Sequence, residues 1–351
     1  MKKVLGSVAV SALLAMSAMA IEAPGNHMVD AEWLKAHMAE VVIVDVRKKG
    51  FDKGHIKGAV HWSKKDFREG RYYSKITQKA IPGYIGSPLT FQRTMRKSGV
   101  NNDSLVIFYS DGKKSKDFRD GALADLTCEF YGFPNVAILD GGFAAWSKAG
   151  GAVDTEKTRP AKGNFSFEGR TFNQNVIATG EDVDEAVWTG AYQTVDANGK
   201  QTSTKDKPKG SHWYGTAKDP RRAKEGHLPG AKAMHTKVLA VQKDGVWYVG
   251  DKAHATAAFQ KAGVDPKKPI IWYCNTGHLI SGNWFVAKYV LGMKDADNRA
   301  YNGSMADYTR WPKRKLVSGD EKEGPAKAEA SSTEATPTMP IVAPAIKFEG
   351  C

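Results

Sequence analysis

Short apolar runs alternate with segments of helical periodicity along the chain, and this pattern predicts the fold class. Buried strands are indicated at 41–46 and 106–109 in the first part, and at 192–197 and 269–273 in the second. These runs are short and rich in β-branched and aromatic residues, which is typical of strands in a sheet core. Strands that alternate with helices favour an α/β fold. We therefore predict two α/β units, each a mostly parallel sheet flanked by helices.

The second unit repeats the motifs of the first in the same order. Gly-His-Ile-Lys-Gly-Ala at 54–59 corresponds to Gly-His-Leu-Pro-Gly-Ala at 226–231. Likewise, the strand ending at Tyr109-Ser110 corresponds to the strand ending at Tyr273-Cys274. A repeated order of weak motifs is the mark of an internal duplication.

Composition divides the rest of the chain. The 351 residues suit two domains with additional segments. A polar connection rich in Gly, Lys and Thr separates the units, and the last part has the Glu, Lys, Ala, Ser and Pro content of a disordered tail. The predicted segments are 1–20 as a signal peptide, 21–150 as the first domain, 151–174 as a linker, 175–316 as the second domain and 317–351 as the tail.

The first residues predict export. Lys2 and Lys3 precede a short apolar stretch and a small-residue cleavage site ending at Ala20, which is typical of a secretory signal. The bacterial character of this signal predicts a periplasmic location. No later run has the length of a membrane span. The net charge of +13 favours small anionic ligands or an acidic partner, and no nucleic-acid-binding module is recognised.

Cys274 is the strongest candidate for chemistry. It follows the apolar strand at 269–273 and precedes a helical pattern at 280–291. Main-chain N–H groups in such a loop can converge on an anion, and the start of the helix favours a thiolate. The glycine of the loop supplies the conformational freedom to close around the sulfur. The residues predicted to bind the anionic substrate here are Asn275, Thr276, Gly277, His278 and Leu279.

The cysteine count adds to this picture. Cys128, Cys274 and Cys351 are the three cysteines, and an odd, sparse set argues against a disulfide framework. The helical spacing around Cys128 predicts a core position. A cysteine that ends a core strand can also be a simple buried hydrophobe, which is the alternative for Cys274.

Taken together, these motifs resemble the tandem-domain rhodanese family, the thiosulfate and 3-mercaptopyruvate sulfurtransferases, from about residue 29 to 311. Further marks are Asp45-Val46-Arg47 and the Leu-Asp-Gly-Gly-Phe-Ala-Ala-Trp motif at 139–146. The resemblance implies two rhodanese-like domains, the first inactive and the second carrying catalytic Cys274. It further implies a persulfide that takes sulfur from a small anionic donor such as thiosulfate. A thiol, cyanide or a protein would accept that sulfur, and no cofactor or metal is expected.

The chain also departs from that family. The thiosulfate-type loop usually has cations directly after the cysteine, where this loop has Asn275 and Thr276. The arginine expected two positions after the second-unit aspartate is Asn198. Anion binding is therefore also assigned to His278 and to two arginines that precede the 226–231 motif, Arg221 and Arg222.

Other functions share parts of this pattern. A cysteine phosphatase needs an arginine six positions after the cysteine, where this chain has Ile280. Cys274 and His278 could form half of a metal site, although no second half is apparent. A carrier that holds sulfane sulfur without turnover, or a thiol–disulfide relay that uses Cys351, is the alternative function.

Overall fold

Strands and helices alternate through both halves of the chain, as the hydrophobic pattern predicts. The structure is a computed structural model that describes residues 21–68, 70–74, 79–199, 226–309 and 313–317, with side chains left undescribed at 70–83. The predicted signal peptide at 1–20 and nearly all of the predicted tail lie outside the described residues. No helix among the described residues is both long enough and apolar enough to cross a membrane.

The described residues of the first half form nine strands and five α-helices. The strands are β1 Met28–Val29, β2 Val41–Asp45, β3 His55–Ile56, β4 Val60–His61, β5 Gly70–Ser74, β6 Lys79–Tyr84, β7 Leu105–Tyr109, β8 Val136–Leu139 and β9 Val153–Asp154. The helices are α1 Ala31–His37, α2 Lys64–Arg68, α3 Pro88–Lys97, α4 Phe118–Phe130 and α5 Gly142–Lys148.

The second half has the same alternation with shorter elements. The strands are β10 Ile177–Ala178, β11 Gln193–Asp196, β12 Lys232–Ala233, β13 Ala240–Lys243, β14 Val246–Val249, β15 Ile270–Tyr273 and β16 Asn298–Tyr301. The α-helices are α6 Gly180–Thr189, α7 Lys252–Lys261, α8 Ile280–Phe285 and α9 Ser304–Tyr308. Single 3₁₀ turns lie at Phe51–Lys53, Gln174–Val176, Thr236–Leu239 and Asp295–Asp297, and a π-helical turn lies at Val286–Val290.

Each half is built on a five-stranded sheet in which all neighbouring strands run parallel. The strand order is β1-β8-β7-β2-β4 in the first sheet and β10-β16-β15-β11-β12 in the second. The two orders are the same once β1 is matched to β10 and β7 to β15. This confirms the predicted fold class, two α/β units with parallel sheets flanked by helices.

The loops that follow β7 and β15 make equivalent main-chain hydrogen bonds. The N–H of Phe143 donates to Ser110 O at 2.8 Å in the first half, and the N–H of Met305 donates to Cys274 O at 3.0 Å in the second. Ser110 and Cys274 therefore occupy the same point of their folds, at the ends of β7 and β15.

Helices α4 and α8 pack against each other across the two halves. Gly282 permits this approach, because a Cβ on it would lie 3.1 Å from the ring of Phe118 and 2.4 Å from Thr236. The hydroxyl of Ser281 donates to Arg119 O across the same interface at 2.9 Å. The interface is thus close enough for a side chain of one half to bond directly to the main chain of the other.

The helix predicted at 280–291 changes character along its length. After α8 it continues as the π-helical turn, in which the N–H of Leu291 donates to Val286 O at 3.0 Å. This turn carries Lys288 and Tyr289, which bond to Glu129 of α4 at 3.0 and 2.5 Å. A π turn inside a helix is a local change of period that an apolar repeat does not predict.

The segment 151–174, predicted as a linker, is in part packed onto the first half. β9 pairs antiparallel with β3, and Phe165 is fully buried against Phe91 and Phe133. This packing is not apparent from the polar composition of the segment, because only a few aromatic residues provide it.

The hairpin β13–β14 of the second half covers the carboxyl end of the first sheet. The N–H of Trp247 donates to Gly112 O at 2.9 Å, and the N–H of Val249 donates to Asp140 Oδ1 at 2.8 Å. Burial raises the pKa of Asp140 to about 6, despite these N–H contacts.

This raised pKa predicts a pH-dependent contribution to stability. The folded state binds the Asp140 proton more tightly than the unfolded chain, so wild-type stability falls relative to Asp140→Asn as pH rises from about 4 to about 6. The difference should reach at most about 3 kcal/mol in the free energy of unfolding, measured by urea denaturation across this range.

A surface carboxylate provides the control. The pKa of Asp154 is lowered by the main-chain N–H groups of Glu156 and Thr155, so its pH-dependent contribution has the opposite sign and lies below about pH 4. Between about pH 4 and about pH 6, Asp154→Asn should therefore keep a constant difference in stability from the wild type. A pH-independent difference between Asp140→Asn and the wild type would contradict the assignment.

Candidate active site

Cys274 is held rigidly at the end of the central strand β15. All four residues of β15 are buried, and Cys274 itself is 1% exposed. Its N–H donates to the hydroxyl of Ser304 at 3.1 Å, and its carbonyl accepts the N–H of Met305. Ser304 has φ +48°, a left-handed conformation that is uncommon for serine and marks a constrained turn. The backbone of the cysteine is therefore fixed from the turn that follows β16.

The loop after Cys274 presents main-chain donors. Within the part of the chain that the structure describes, no acceptor takes the N–H groups of Asn275, Thr276, Gly277 or Leu279. Gly277 is buried and the other three residues are partly exposed. Buried main-chain N–H groups are nearly always paired in proteins. A run of unpaired donors beside a buried sulfur is the arrangement that stabilises an anion.

Gly277 shapes this loop as the sequence predicts. Its φ is +71°, and a Cβ there would lie 2.1 Å from Asn302 O. The loop thus lies directly against the turn that follows β16, with no room for a side chain. Beside it, the hydroxyl of Thr276 and Nδ1 of His278 lie 2.9 Å apart.

A charged residue of the first half enters the site. Arg68 ends α2 and is 4% exposed, and its Nη2 donates to Gly277 O at 3.0 Å. Nη1 donates to Asn302 Oδ1. Burial lowers the pKa of Arg68 to about 10, an effect opposed by the nearby Cys274 sulfur and by Tyr84. The guanidinium remains charged at neutral pH.

Sequence reasoning missed Arg68. It lies 209 positions from Gly277 in the chain and in the unit predicted to be inactive. No spacing rule joins two such distant residues, and the surrounding Lys64–Arg68 helix is rich in ordinary surface charge. Only the packing of the halves brings the side chain to the loop.

Of the seven residues predicted to bind an anion, the structure describes five. The five loop residues lie between the buried cysteine and helix α8, whereas Arg221 and Arg222 lie outside the described residues. Asn198 donates its N–H to Asp196 Oδ1 at 2.8 Å and supplies no charge.

The first half has a serine at the position equivalent to the cysteine. Ser110 stands where the second half has Cys274, and the β13–β14 hairpin covers its loop. Arg47 is bound to Asp45 at 2.6 Å and to Gly54 O at 2.7 Å, so it braces the first sheet.

Metal-ligating groups cluster elsewhere. Among the described residues, the set close enough to hold an ion is His27, Asp125 and Glu129 at the α4 interface. Tyr289 and Lys288 already bond to these carboxylates. Cys274 and His278 are not part of that set, so the metal alternative gains no support there.

The fold and this loop define a class: a duplicated α/β protein with a buried cysteine at the carboxyl end of the second sheet. Comparison with known proteins agrees. The model of the rhodanese-like domain matches residues 30–149. The chain is 26% identical over 309 residues to the sulfur carrier protein TtuD of Thermus thermophilus, covering 84% of this chain and 97% of that protein.

Two further relatives extend the likeness over both halves. Thiosulfate sulfurtransferase of Bos taurus is 26% identical over 287 residues, covering 81% of this chain and 85% of that protein. The crystal structure of SseA from Escherichia coli, presented as a rhodanese fold of 3-mercaptopyruvate sulfotransferases, matches with a TM-score of 0.60 and 24% identity. It covers 79% of this chain and 98% of SseA. Residues 30–149 thus match the rhodanese-like domain, and the chain as a whole is similar to tandem-domain proteins of the rhodanese fold.

The geometry of Gly277 predicts the effect of adding a methyl group. Gly277→Ala should lower the free energy of unfolding by about 2 to 4 kcal/mol, because φ is strained and the new Cβ collides with Asn302 O. The reactivity of Cys274 towards iodoacetamide should change as the loop shifts. Urea denaturation and alkylation rates measure these effects.

Gly263 is the matched control. It has φ +65° but open space where a Cβ would lie, so Gly263→Ala should cost about 1 kcal/mol and leave Cys274 reactivity unchanged. Equal costs for the two substitutions would contradict a tight contact at Gly277.

Proposed function

We propose that the protein is a sulfurtransferase that moves sulfane sulfur from thiosulfate, or a related anionic donor, to a thiophilic acceptor through a persulfide on Cys274. The observation that carries this proposal is a buried thiol set among unpaired main-chain N–H donors at the end of β15. The similarity to the rhodanese family and the names of the Thermus and bovine relatives, which share sulfur handling, support the same chemistry. The signal-like residues 1–20 support a periplasmic location.

The first half-reaction transfers one sulfur atom to the protein. The Cys274 thiolate attacks the outer sulfur of thiosulfate, a new S–S bond forms at Sγ, and the donor S–S bond breaks. Sulfite leaves with the bonding electron pair, and the protein keeps a persulfide anion. The N–H groups of Asn275, Thr276, Gly277 and Leu279 stabilise the negative charge on the terminal sulfur.

The second half-reaction returns the protein to its starting state. A thiolate or cyanide attacks the terminal sulfur, and Cys274 departs as the thiolate while the acceptor gains the sulfur. With cyanide the product is thiocyanate. In each step one bond to the transferred sulfur breaks as another forms, so the sulfur is exchanged without net oxidation of the protein and no external oxidant is needed.

Sulfur loading tests the proposal directly. Intact-mass analysis after exposure to thiosulfate should show the gain of one sulfur atom on a peptide that contains Cys274, and cyanide should remove it. A parallel exposure to 3-mercaptopyruvate compares the two donors. Steady-state production of thiocyanate separates turnover from a carrier, which would load once and then stop.

Substitution of the nucleophile should separate chemistry from stability. Cys274→Ser should abolish thiocyanate formation, a loss of at least about a thousandfold, because a hydroxyl does not ionise at neutral pH. Thermal unfolding should change little. Cys128→Ala removes the other described cysteine, buried in α4, and should keep sulfur loading. Turnover that survives in Cys274→Ser would refute the proposal.

A further inference from the structure

The loop after Cys274 lacks the positive side chain that an anionic donor would need. No positive side chain follows Cys274 directly, since Asn275 and Thr276 stand there. An anionic donor that approaches a thiolate meets like-charge repulsion, which a positive group must offset. The described cation that faces this loop is Arg68 of the first half, through Gly277 O and Asn302 Oδ1.

Within the described part of the chain, Arg68 has no carboxylate partner. Among the described residues, no aspartate or glutamate forms an ion pair with it, and both protein acceptors are neutral oxygens. Its Nε is buried and bonds to nothing in the described part of the chain. A buried, uncompensated cation costs several kcal/mol, so structures rarely retain one without an anion for it to meet.

The duplication provides an internal comparison. Asn302 lies three positions before Met305, and Asp140 lies three positions before Phe143, so the two residues are equivalent. Asp140 accepts a main-chain N–H from the opposite half, that of Val249. Asn302 accepts a guanidinium N–H from the opposite half, that of Arg68. Both turns are tied to the opposite half, but by different donors.

This difference indicates that the positive charge of Arg68 serves the site and not the packing of the two halves. A main-chain N–H from the opposite half suffices to bridge the first-half turn, so holding the halves together does not require a guanidinium. Where the first half has an acid, the second has a neutral amide of the same shape. An aspartate at position 302 would neutralise Arg68. The amide keeps the positive charge free, and it does so in the half that carries the cysteine.

We propose that Arg68 is the anion-binding residue of the site: it draws the doubly charged sulfur donor to Cys274 from the first half, and Asn302 keeps its charge available. This proposal rests on the sulfur-transfer function above and specifies its substrate class as a small dianion. Arg68 thereby takes the place of the cations that the loop lacks. The first half, without a nucleophile of its own, contributes a specificity-determining side chain.

Two substitutions test the charge. Asn302→Asp keeps shape and acceptor oxygen but places a carboxylate on Arg68, and Arg68→Gln removes the cation. Both should raise the KM for thiosulfate at least about tenfold, whereas an organic thiosulfonate, a monoanion, should lose less. Asn164→Asp and Arg93→Gln make the same chemical changes at exposed positions of the first half and should leave KM within about twofold.

A second readout does not depend on turnover. In a Cys128→Ala background, the rate of Cys274 alkylation by anionic iodoacetate is divided by the rate with neutral iodoacetamide. The ratio should fall at least about threefold in Asn302→Asp. Circular dichroism confirms folding, and if Arg68→Gln does not fold, the conservative Asn302→Asp decides.

The outcomes distinguish a failure of the Arg68 proposal from a failure of the proposed sulfurtransferase function. An unchanged thiosulfate KM or an unchanged alkylation ratio in folded Asn302→Asp overturns the role of Arg68, while sulfur loading on Cys274 would still stand. If the wild type takes no sulfur from thiosulfate, the proposed function fails, and so does the dianion assignment. The alkylation ratio then reports the cation alone.

Discussion

Each half of this molecule covers the carboxyl end of the other half's sheet. This reciprocal contact determines the surroundings of the loops that follow β7 and β15. Parallel sheets leave loops and unpaired main-chain groups at that end, and these must be satisfied. The first sheet is covered by the β13–β14 hairpin through Gly112 and Asp140. The second is covered from α2 through Gly277 and Asn302. Close packing of α4 on α8 sets both contacts at once.

The same architecture explains why a duplicated protein needs only one reactive loop. At the end of β7, the hairpin supplies main-chain donors, and the position equivalent to the cysteine is Ser110. At the end of β15, the cover is a single charged side chain, which leaves the loop donors around Cys274 unpaired. The first half therefore forms one side of the site, through the side chain of Arg68.

The local parts of this structure could be predicted from the sequence, and the parts that depend on packing between the halves could not. The alternation of apolar runs correctly predicted two parallel-sheet units, and the position of Cys274 at a strand end follows from residues that are adjacent in the chain. The role of Gly277 follows from the same local pattern. Arg68 and the packed aromatic residues of 151–174 were missed, because their partners are distant in the chain.

The buried guanidinium of Arg68 sets the electrostatic character of the site. A guanidinium with neutral partners and an orphaned Nε is destabilising on its own, and burial lowers the pKa of Arg68 to about 10. In the proposed reaction the nearby sulfur of Cys274 becomes anionic. The buried charge that costs stability in the resting protein would then be compensated when the donor or the persulfide is present. A carboxylate partner would have removed the cost and with it the attraction for the donor. The neutral amide of Asn302 is consistent with a site that favours reactivity over stability.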